Sequence, residues 1–176
     1  MKRIFVINPG CTSTKVAVYE DETAVWTSDG LHAPEDIEKF TTVAEQYEYR
    51  KDFILNLLKE AGIPLQFDAV IGRGGLLKPL HGGVYAVNEQ MKYDLNHAKH
   101  QHVCNLGCLI ADEIARQCNC PAFMADPVVV DEMMTRARYT GLPFMKRESI
   151  FHALNAKAAA RRYAKTCGKV YENMDI

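Results

Sequence analysis

The N-terminal part of the chain carries three short runs typical of β-strands, separated by polar turns. The first run, residues 3–8, ends at a proline-glycine turn. The second covers residues 15–19, and the third, residues 23–27, follows a tight charged turn at Asp21. Because the connections between the runs are short, the pattern predicts an antiparallel meander.

Beyond residue 34 the apolar positions recur at helical spacing. Between residues 35 and 61 this spacing predicts one long helix or two shorter ones, and Gly62 and Pro64 stand where a helix ends. A compact apolar strand over residues 68–71 follows, and then a glycine-rich loop over residues 72–83. Helix and strand therefore alternate after the meander.

The rest of the chain continues this alternation. We predict a helix over residues 103–118, a strand over 121–125, and an alanine-rich helix that begins at the N-cap Ser149 and stops at Gly168. A meander followed by alternating helices and strands predicts an α/β domain with a mixed sheet. Ligands in such sheets bind near the carboxyl ends of the strands, which makes polar residues there candidates for a site.

Composition narrows the functional classes. The chain has 176 residues, of which 48% are hydrophobic and 24% charged, values that fit one globular domain. Lys and Arg number 21 against 22 Asp and Glu, so no basic excess favours nucleic acid or an anionic membrane. No apolar run approaches the roughly 20 residues that span a bilayer. With six cysteines and no export signal, we expect a cytoplasmic protein with reduced thiols.

The loop between the first two strands is the first candidate site. Its glycine lets backbone N–H groups approach phosphate oxygens, Lys15 supplies a cation, and Asn8 offers an oxygen to Mg²⁺ or its waters. It is not a Walker loop, which needs a Gly-Lys pair opening a helix. The plain alternative is an ordinary polar turn. The loop's hydroxyl donors are Thr12, Ser13 and Thr14.

Three further side chains could bind anions or orient a ligand. Arg73, set between glycines at a strand end, could place its guanidinium on a carboxylate or phosphate. Asp126 follows an apolar strand, and His152 lies one helical turn before Asn155 at the start of the last helix. Each has a plain alternative: a surface arginine, a turn-initiating Asp-Pro, and a surface histidine.

A run of histidines and cysteines between residues 97 and 108 must be weighed as a metal site. Zinc sites use such side chains, but this run lacks the paired spacing and the distant second pair that structural zinc requires. Small residues such as Cys104 and Cys108, four apart on a helix, more often pack in a core. The members are His97, His100, His102, Cys104 and Cys108.

Four segments together are far more specific than any single residue. They are VINPGCTSTKVAVYED, VIGRGGLLKPLHGGVYAVNEQM, FMADPVVVDEM and SIFHALNAKAAARR. In order and spacing, from Ile4 to about Tyr171, they closely resemble butyrate kinases of the acetate/butyrate kinase family. That resemblance implies the sugar kinase, actin and Hsp70 superfamily, with a ribonuclease-H-like domain whose mixed sheet has helices on both faces. It also implies a second domain, with ATP and the acid bound between the two.

The resemblance assigns a role to most of these candidates, whereas His97 and His100 match nothing in it and stay unassigned. Asn8 corresponds to a residue that helps place Mg²⁺, and Lys15, with residues 12–14, to residues associated with ATP. Arg73 corresponds to the arginine that holds the acid's carboxylate, Asp126 to the active-site aspartate, and His152 to a histidine that stabilises the transferring phosphoryl group. His102, Phe151 and Gly75 are expected to line the acid's side of the cleft.

The resemblance also suggests which acid is used. Acetate kinases carry bulkier valines just after the cleft arginine, whereas Gly74 and Gly75 follow Arg73 here. Missing side chains would leave volume for extra methylenes, each worth about 0.8 kcal/mol when buried. This argument favours butyrate or a similar short or branched acid over acetate. The alternative is that the two glycines serve only the backbone of the loop.

The expected activity is reversible transfer of the γ-phosphoryl group of ATP to a short-chain carboxylate, giving an acyl phosphate. We expect residues 1–148 to form the N-terminal domain and residues 149–176 a helix leading to a second domain that this chain lacks. The chain alone is then unable to turn over, and the full-length protein is a homo-oligomer. The alternatives are an acetate, propionate or branched-chain acid kinase, and a non-catalytic phosphate-binding module. Cys11, where relatives usually have serine, is a weak donor.

Overall fold

The computed structural model describes residues 1–175, and its centre is a six-stranded mixed sheet. The strands are β1 Arg3–Pro9, β2 Ser13–Glu20, β3 Thr23–Leu31, β4 Ala69–Arg73, β5 Tyr85–Ala86 and β6 Ala122–Ala125. Their order across the sheet is β3-β2-β1-β4-β6-β5. Strands β1, β2 and β3 form the predicted antiparallel meander, while β1, β4 and β6 run parallel. The mixed sheet of an α/β domain is therefore confirmed.

Five α-helices accompany the sheet among the described residues. They are α1 Pro34–Ile37, α2 Gln46–Glu60, α3 Glu89–Asn96, α4 Asn105–Gln117 and α5 Ala153–Thr166. The helical spacing between residues 35 and 61 thus resolves into two helices. Helix α3 was not predicted from the sequence. Only Met91 and Leu95 are buried among its eight residues, and so short a helix shows no clear apolar period. Asn88 caps it by accepting a hydrogen bond from the Met91 amide at 2.8 Å.

The main core lies between one face of the sheet and the helices α2 and α4, which contact each other. Phe5 and Ile7 of β1 face Ile54 of α2 and Ile110 of α4 in this core. Helix α4 approaches β4 closely where two glycines meet, because a Cβ on Gly72 would stand 2.5 Å from the backbone carbonyl of Gly107. Such contact is open only to glycine, and it brings the end of β4 against the start of α4.

The expectation of helices on both faces of the sheet is met on one face only within residues 1–175. Alternate strand positions point to the other face, where Ile4, Val6, Ile71 and Phe123 are half-buried. Every extensive helix-strand packing in the described chain is made by α2 or α4 on the first face. None of the helices described between residues 1 and 175 is long and apolar enough to cross a membrane.

The last helix begins later than the sequence indicated. We expected Ser149 to cap it, but α5 begins at Ala153, and the buried Ser149 hydroxyl donates to the Val130 carbonyl at 2.7 Å instead. A serine hydroxyl can satisfy a nearby loop carbonyl as well as a helix end, and tertiary packing decides between them. Gly168, at a φ of 65°, follows the helix as expected. The domain division at residue 148 stays a prediction, and Ile176 lies outside the described residues.

Candidate active site

Three polar side chains meet where the parallel strands β1, β4 and β6 end. Asn8 is the penultimate residue of β1, Arg73 is the last residue of β4, and Asp126 directly follows β6. Parallel strands place their carboxyl ends at one edge of a sheet, so residues far apart in sequence become neighbours there. The structure thus brings these three candidate residues together at one edge of the sheet.

Arg73 holds Asp126 with two hydrogen bonds to one oxygen. Its Nε and Nη2 atoms lie 3.0 and 2.7 Å from Asp126 Oδ2, and its Nη1 lies 3.4 Å from Asn8 Oδ1. The side chains of Arg73 and Asp126 keep 27% and 12% of their exposure. The positive charge of Arg73 and the negative charge of Asp126 compensate each other, and the partly exposed guanidinium stays accessible to a further anion.

Asp126 is also fixed through its backbone and its second oxygen. Its φ of 51° lies in the left-handed region, which aspartate adopts more readily than most residues. The Asn155 amide, in the first turn of α5, donates to Asp126 Oδ1 at 3.1 Å. The positive end of the helix dipole stabilises a carboxylate there. Asp126 is thus oriented from two sides, by Arg73 and by α5.

His152, at the N-cap position of α5, lies beside the same carboxylate. Its Nδ1 stands 3.0 Å from the Asp126 carbonyl oxygen and 3.0 Å from Asp126 Oδ2. Both neighbours are acceptors, so Nδ1 carries the proton and the ring presents Nε2 outward. The neighbouring Phe151 is about half exposed. The structure therefore brings Asn8, Arg73, Asp126 and His152 into one group.

His102 lies beside the β1–β2 loop. Its Nε2 is 3.5 Å from Cys11 Sγ, and its Nδ1 accepts a hydrogen bond from the Cys104 amide at 3.3 Å. The loop itself is closed by the Gly10 amide, which donates to the Ser13 carbonyl at 2.7 Å. His102 thus connects the candidate phosphate loop to the start of α4.

Sequence comparison places the chain among known proteins. It is 62% identical over 174 residues to a probable butyrate kinase of Phocaeicola vulgatus, and 50% identical over 178 residues to butyrate kinase 1 of Clostridium acetobutylicum. These matches cover 99% and 100% of the chain and 49% and 50% of the relatives. The whole of this chain is therefore similar to butyrate kinases. It spans about half the length of the curated relatives it matches.

The fold agrees with this similarity. The crystal structure of Porphyromonas gingivalis acetate kinase superposes with a TM-score of 0.64, covering 97% of this chain and 50% of that one at 14% sequence identity. At so low an identity the likeness shows the fold alone. No protein-family model matches the chain. The expected acetate-kinase type of domain is confirmed.

One of the residues expected to contact ATP, Thr14, points into the interior of the domain. Thr14 is completely buried, and its hydroxyl contacts His32 and Arg50 inside the domain, so its side chain does not reach the outer side of the loop. Lys15 stands opposite Asn8 in the β1–β2 register and pairs with Asp29 at 2.9 Å on the surface, so its assignment to ATP stays a prediction. Alternation along β2 turns these neighbours to opposite faces. Thr12 and Ser13 keep exposed or half-exposed positions in the loop.

A buried arginine cluster behind the loop was missed in the sequence. We use this name for Thr14, His32, Gln46 and Arg50. Arg50 is fully buried: it donates to Gln46 Oε1 and Thr14 Oγ1 at 2.9 Å each, and to the Cys11 carbonyl at 3.3 Å. One signal was available, because Arg50 stands four residues before the buried Ile54 on the apolar face of α2.

His32 stays neutral in this cluster. Burial, and then the charge of Arg50, lower its pKa to about 4. Its Nε2 therefore accepts the Thr14 hydroxyl at 2.8 Å, while Nδ1 lies 3.2 Å from the Tyr49 hydroxyl. The imidazole serves as a neutral partner, leaving the arginine charge unopposed.

The two glycines after Arg73 do not open space for a longer acid. A Cβ on Gly74 would stand 2.7 Å from Cys104 Cβ, and one on Gly75 would stand 3.1 Å from Leu95 Cδ2. Both glycines have positive φ, 95° and 121°. Backbone conformation and packing therefore account for them, and the added-volume argument for butyrate loses its basis. The assignment of Gly75 to the acid's site stays a prediction.

The oxygen donors at the strand ends fit the Mg²⁺ that the family resemblance implies. Asn8 and Asp126 offer oxygens at one edge of the sheet, and Arg73 contacts both. Mg²⁺ keeps several waters and takes one or two carboxylates together with substrate phosphates, so these residues fit an ion held through water. Across residues 1–175, no group of three or more His, Cys, Asp or Glu side chains could hold a metal directly. The histidine-cysteine run offers no zinc ligand set there.

Proposed function

We propose that this chain is the N-terminal part of an acyl kinase. The enzyme transfers the γ-phosphoryl group of ATP to butyrate or another short-chain carboxylate, reversibly, giving an acyl phosphate and ADP. The observation that carries the proposal is the group formed by Arg73, Asp126, Asn8 and His152 at the ends of three parallel strands. The similarity to butyrate kinases supports this reaction over other phosphoryl transfers.

The acid binds to Arg73. A carboxylate is already a nucleophile, so the reaction needs no general base; its difficulty is that two anions must approach each other. Arg73 can present its planar donors to the acid while Asp126 fixes the guanidinium from the other side. Asp126 therefore orients Arg73 and does not take a proton.

His152 acts on the group in transfer. With Nδ1 held by Asp126, its Nε2 can donate to a phosphoryl oxygen when the ring is protonated. In the reaction, a carboxylate oxygen forms a bond to the γ-phosphorus as the bond between that phosphorus and the bridging oxygen breaks, and ADP leaves. The negative charge that the transfer concentrates on the phosphoryl oxygens is met by His152 and Arg73.

ATP binds on the side of the β1–β2 loop, where Thr12 and Ser13 offer hydroxyl and backbone donors and His102 adjoins Cys11. Mg²⁺, when bound near Asn8 and Asp126, supplies charge neutralisation at the phosphates. We propose further that Phe151 and Gly75 line the acid's side, that a second domain completes the cleft, and that the complete protein is a cytoplasmic homo-oligomer. Butyrate is the acid that the names of these relatives specify.

The test is an assay of the protein expressed from its full reading frame. Acyl phosphate is trapped with hydroxylamine while ATP is supplied with butyrate, propionate, acetate or a branched acid in turn. We expect ATP-dependent product with butyrate as the best acid or close to it, and none from the 176-residue chain alone. ATP or phosphate binding without transfer to any acid would instead indicate a non-catalytic phosphate-binding module.

A further inference from the structure

The buried arginine cluster lies directly behind the candidate phosphate loop, and the mechanism proposed above does not use it. Arg50 has no exposed surface, and its Nη2 reaches forward to the carbonyl oxygen of Cys11, a loop residue. The cluster therefore joins helix α2 to the inner side of the loop. A fully buried cation at this place calls for a physical reason.

Among the described residues, every side chain within hydrogen-bonding distance of the Arg50 guanidinium is neutral. The guanidinium donates to Gln46 Oε1 and Thr14 Oγ1, and its Nη1 lies 3.2 Å from His32 Nε2. No carboxylate in the described chain forms a salt bridge with Arg50. Asp36 is near enough to raise the pKa of His32, and the other titratable groups near Arg50 are Tyr49 and Cys11. Buried charges are normally paired, because desolvation is costly. The positive charge of Arg50 is therefore uncompensated within the domain.

The hydrogen bond to Cys11 also fixes the direction of a peptide group. The described chain has no cis peptide bonds, and in a trans peptide the C=O and N–H groups point in opposite directions. Since the Cys11 carbonyl points inward to Arg50, the Thr12 N–H of the same peptide points outward. The arginine thus turns a backbone donor toward the open side of the loop.

We propose that Arg50 is a positioning residue for the phosphate groups of ATP. It holds the Cys11–Thr12 peptide so that its N–H faces the ligand, and its unopposed charge stabilises an anion on the outer side of the loop. Gln46, Thr14 and His32 satisfy the remaining donors without neutralising that charge. This inference rests on the proposed function, since it takes ATP as the ligand of the loop.

The test compares three variants of the protein expressed from its full reading frame. Arg50→Met removes the charge and the donors, Arg50→Lys keeps the charge but loses the planar fork of donors, and Lys59→Met removes one charge from an exposed position of the same helix. Dissociation constants for ATP and for inorganic phosphate are measured by calorimetry. Steady-state KM values for ATP and for the acid are measured beside them, with the melting temperature of each variant.

We expect Arg50→Met to weaken ATP binding and raise the KM for ATP at least tenfold, with the KM for the acid within twofold of the parent value. Arg50→Lys should recover part of the loss, and Lys59→Met should bind ATP as the parent does. A merely structural arginine would lower the melting temperature without this split between the two KM values.

Unchanged ATP binding in folded Arg50→Met, or an equal loss in Lys59→Met, would overturn the proposal. If Arg50→Met does not fold, Arg50→Lys decides: a higher KM for ATP alone supports the role, and a change confined to the melting temperature refutes it. Failure of the proposed function looks different. There the parent protein transfers no phosphoryl group to any acid, while the effect of Arg50 on ATP binding can still be read.

Discussion

Two arginines stand near the same edge of the sheet in opposite electrostatic settings. Arg73 ends strand β4, keeps 27% of its side-chain exposure and faces the carboxylate of Asp126. Arg50 lies inside helix α2, fully buried, among a hydroxyl, an amide, a neutral imidazole and a backbone carbonyl. The first charge is balanced and reachable, and the second is unbalanced and enclosed.

Under the proposed function, this difference explains how one small domain can bind both a carboxylate and the phosphates of ATP. A paired, half-exposed guanidinium can share its donors with an incoming carboxylate without leaving its partner uncompensated. An enclosed guanidinium cannot touch a ligand, but in a low-dielectric interior its charge and the peptide it orients act over a short distance with little screening. We therefore assign direct contact to Arg73 and positioning to Arg50.

Replacing Arg73 is expected to have the largest effect, and it tests whether this arginine contacts the acid directly. Arg73→Lys keeps the charge but loses the planar fork that contacts both Asp126 and the acid, so we expect kcat/KM for the acid to fall by about 10²–10³. Steady-state kinetics in the full-length protein would measure it, with exposed Arg136→Lys as the matched control. A loss below threefold would place the acid elsewhere.

Gly72→Ala should displace the strand that carries Arg73 while leaving Arg50 in place. Its Cβ would stand 2.5–2.6 Å from backbone atoms of Gly107 and Cys108, which cannot turn aside as a side chain can. We expect the free energy of unfolding to drop by about 3 kcal/mol in urea titrations. Gly141→Ala, where nothing lies within 4 Å, is the control and should change it by less than about 0.5 kcal/mol. Equal effects would contradict the close packing of β4 on α4.

The pH dependence of stability tests the setting of Arg50. His32 has a folded pKa of about 4, below its ordinary 6.5, so the unfolded chain binds its proton first as the pH falls. Stability is thus complete above about pH 6.5 and is lost toward pH 4, by about 3 kcal/mol for this group. Urea unfolding at several pH values would show the slope, and His32→Gln should flatten it. An unchanged slope in that variant would show that His32 is not the titrating group.

The smallest expected effect is on stability, and it separates the charge of Asp126 from its backbone conformation. Asp126→Asn and Asp126→Ala both remove the charge that faces Arg73, but asparagine tolerates the φ of 51° and alanine does not. We expect Asp126→Ala to be about 1 kcal/mol less stable than Asp126→Asn in urea unfolding, with transfer activity reduced in both. Equal stabilities would mean that the left-handed backbone at this residue carries no cost.

The sequence predicted much of the fold because local patterns produced it. The three N-terminal strands, helices α2 and α4, and strands β4 and β6 follow from apolar periodicity and turn residues that act over a few positions. Helix α3 and the true start of α5 escaped, since one is short and the other is decided by where Ser149 packs. Among the site residues, Asn8, Arg73 and Asp126 could be predicted from the sequence because each stands at a strand end.

The sequence alone was enough to identify residues that could bind anions and to place Asn8, Arg73 and Asp126 at the ends of strands. Only the tertiary structure decided that Thr14 points inward, that Gly74 and Gly75 face packed side chains, and that Arg50 holds the loop from behind. The physical reason is that these outcomes depend on contacts between segments dozens of residues apart. A local pattern sets the direction of a strand or helix, but what lies opposite each side chain is fixed when the sheet and its helices pack together.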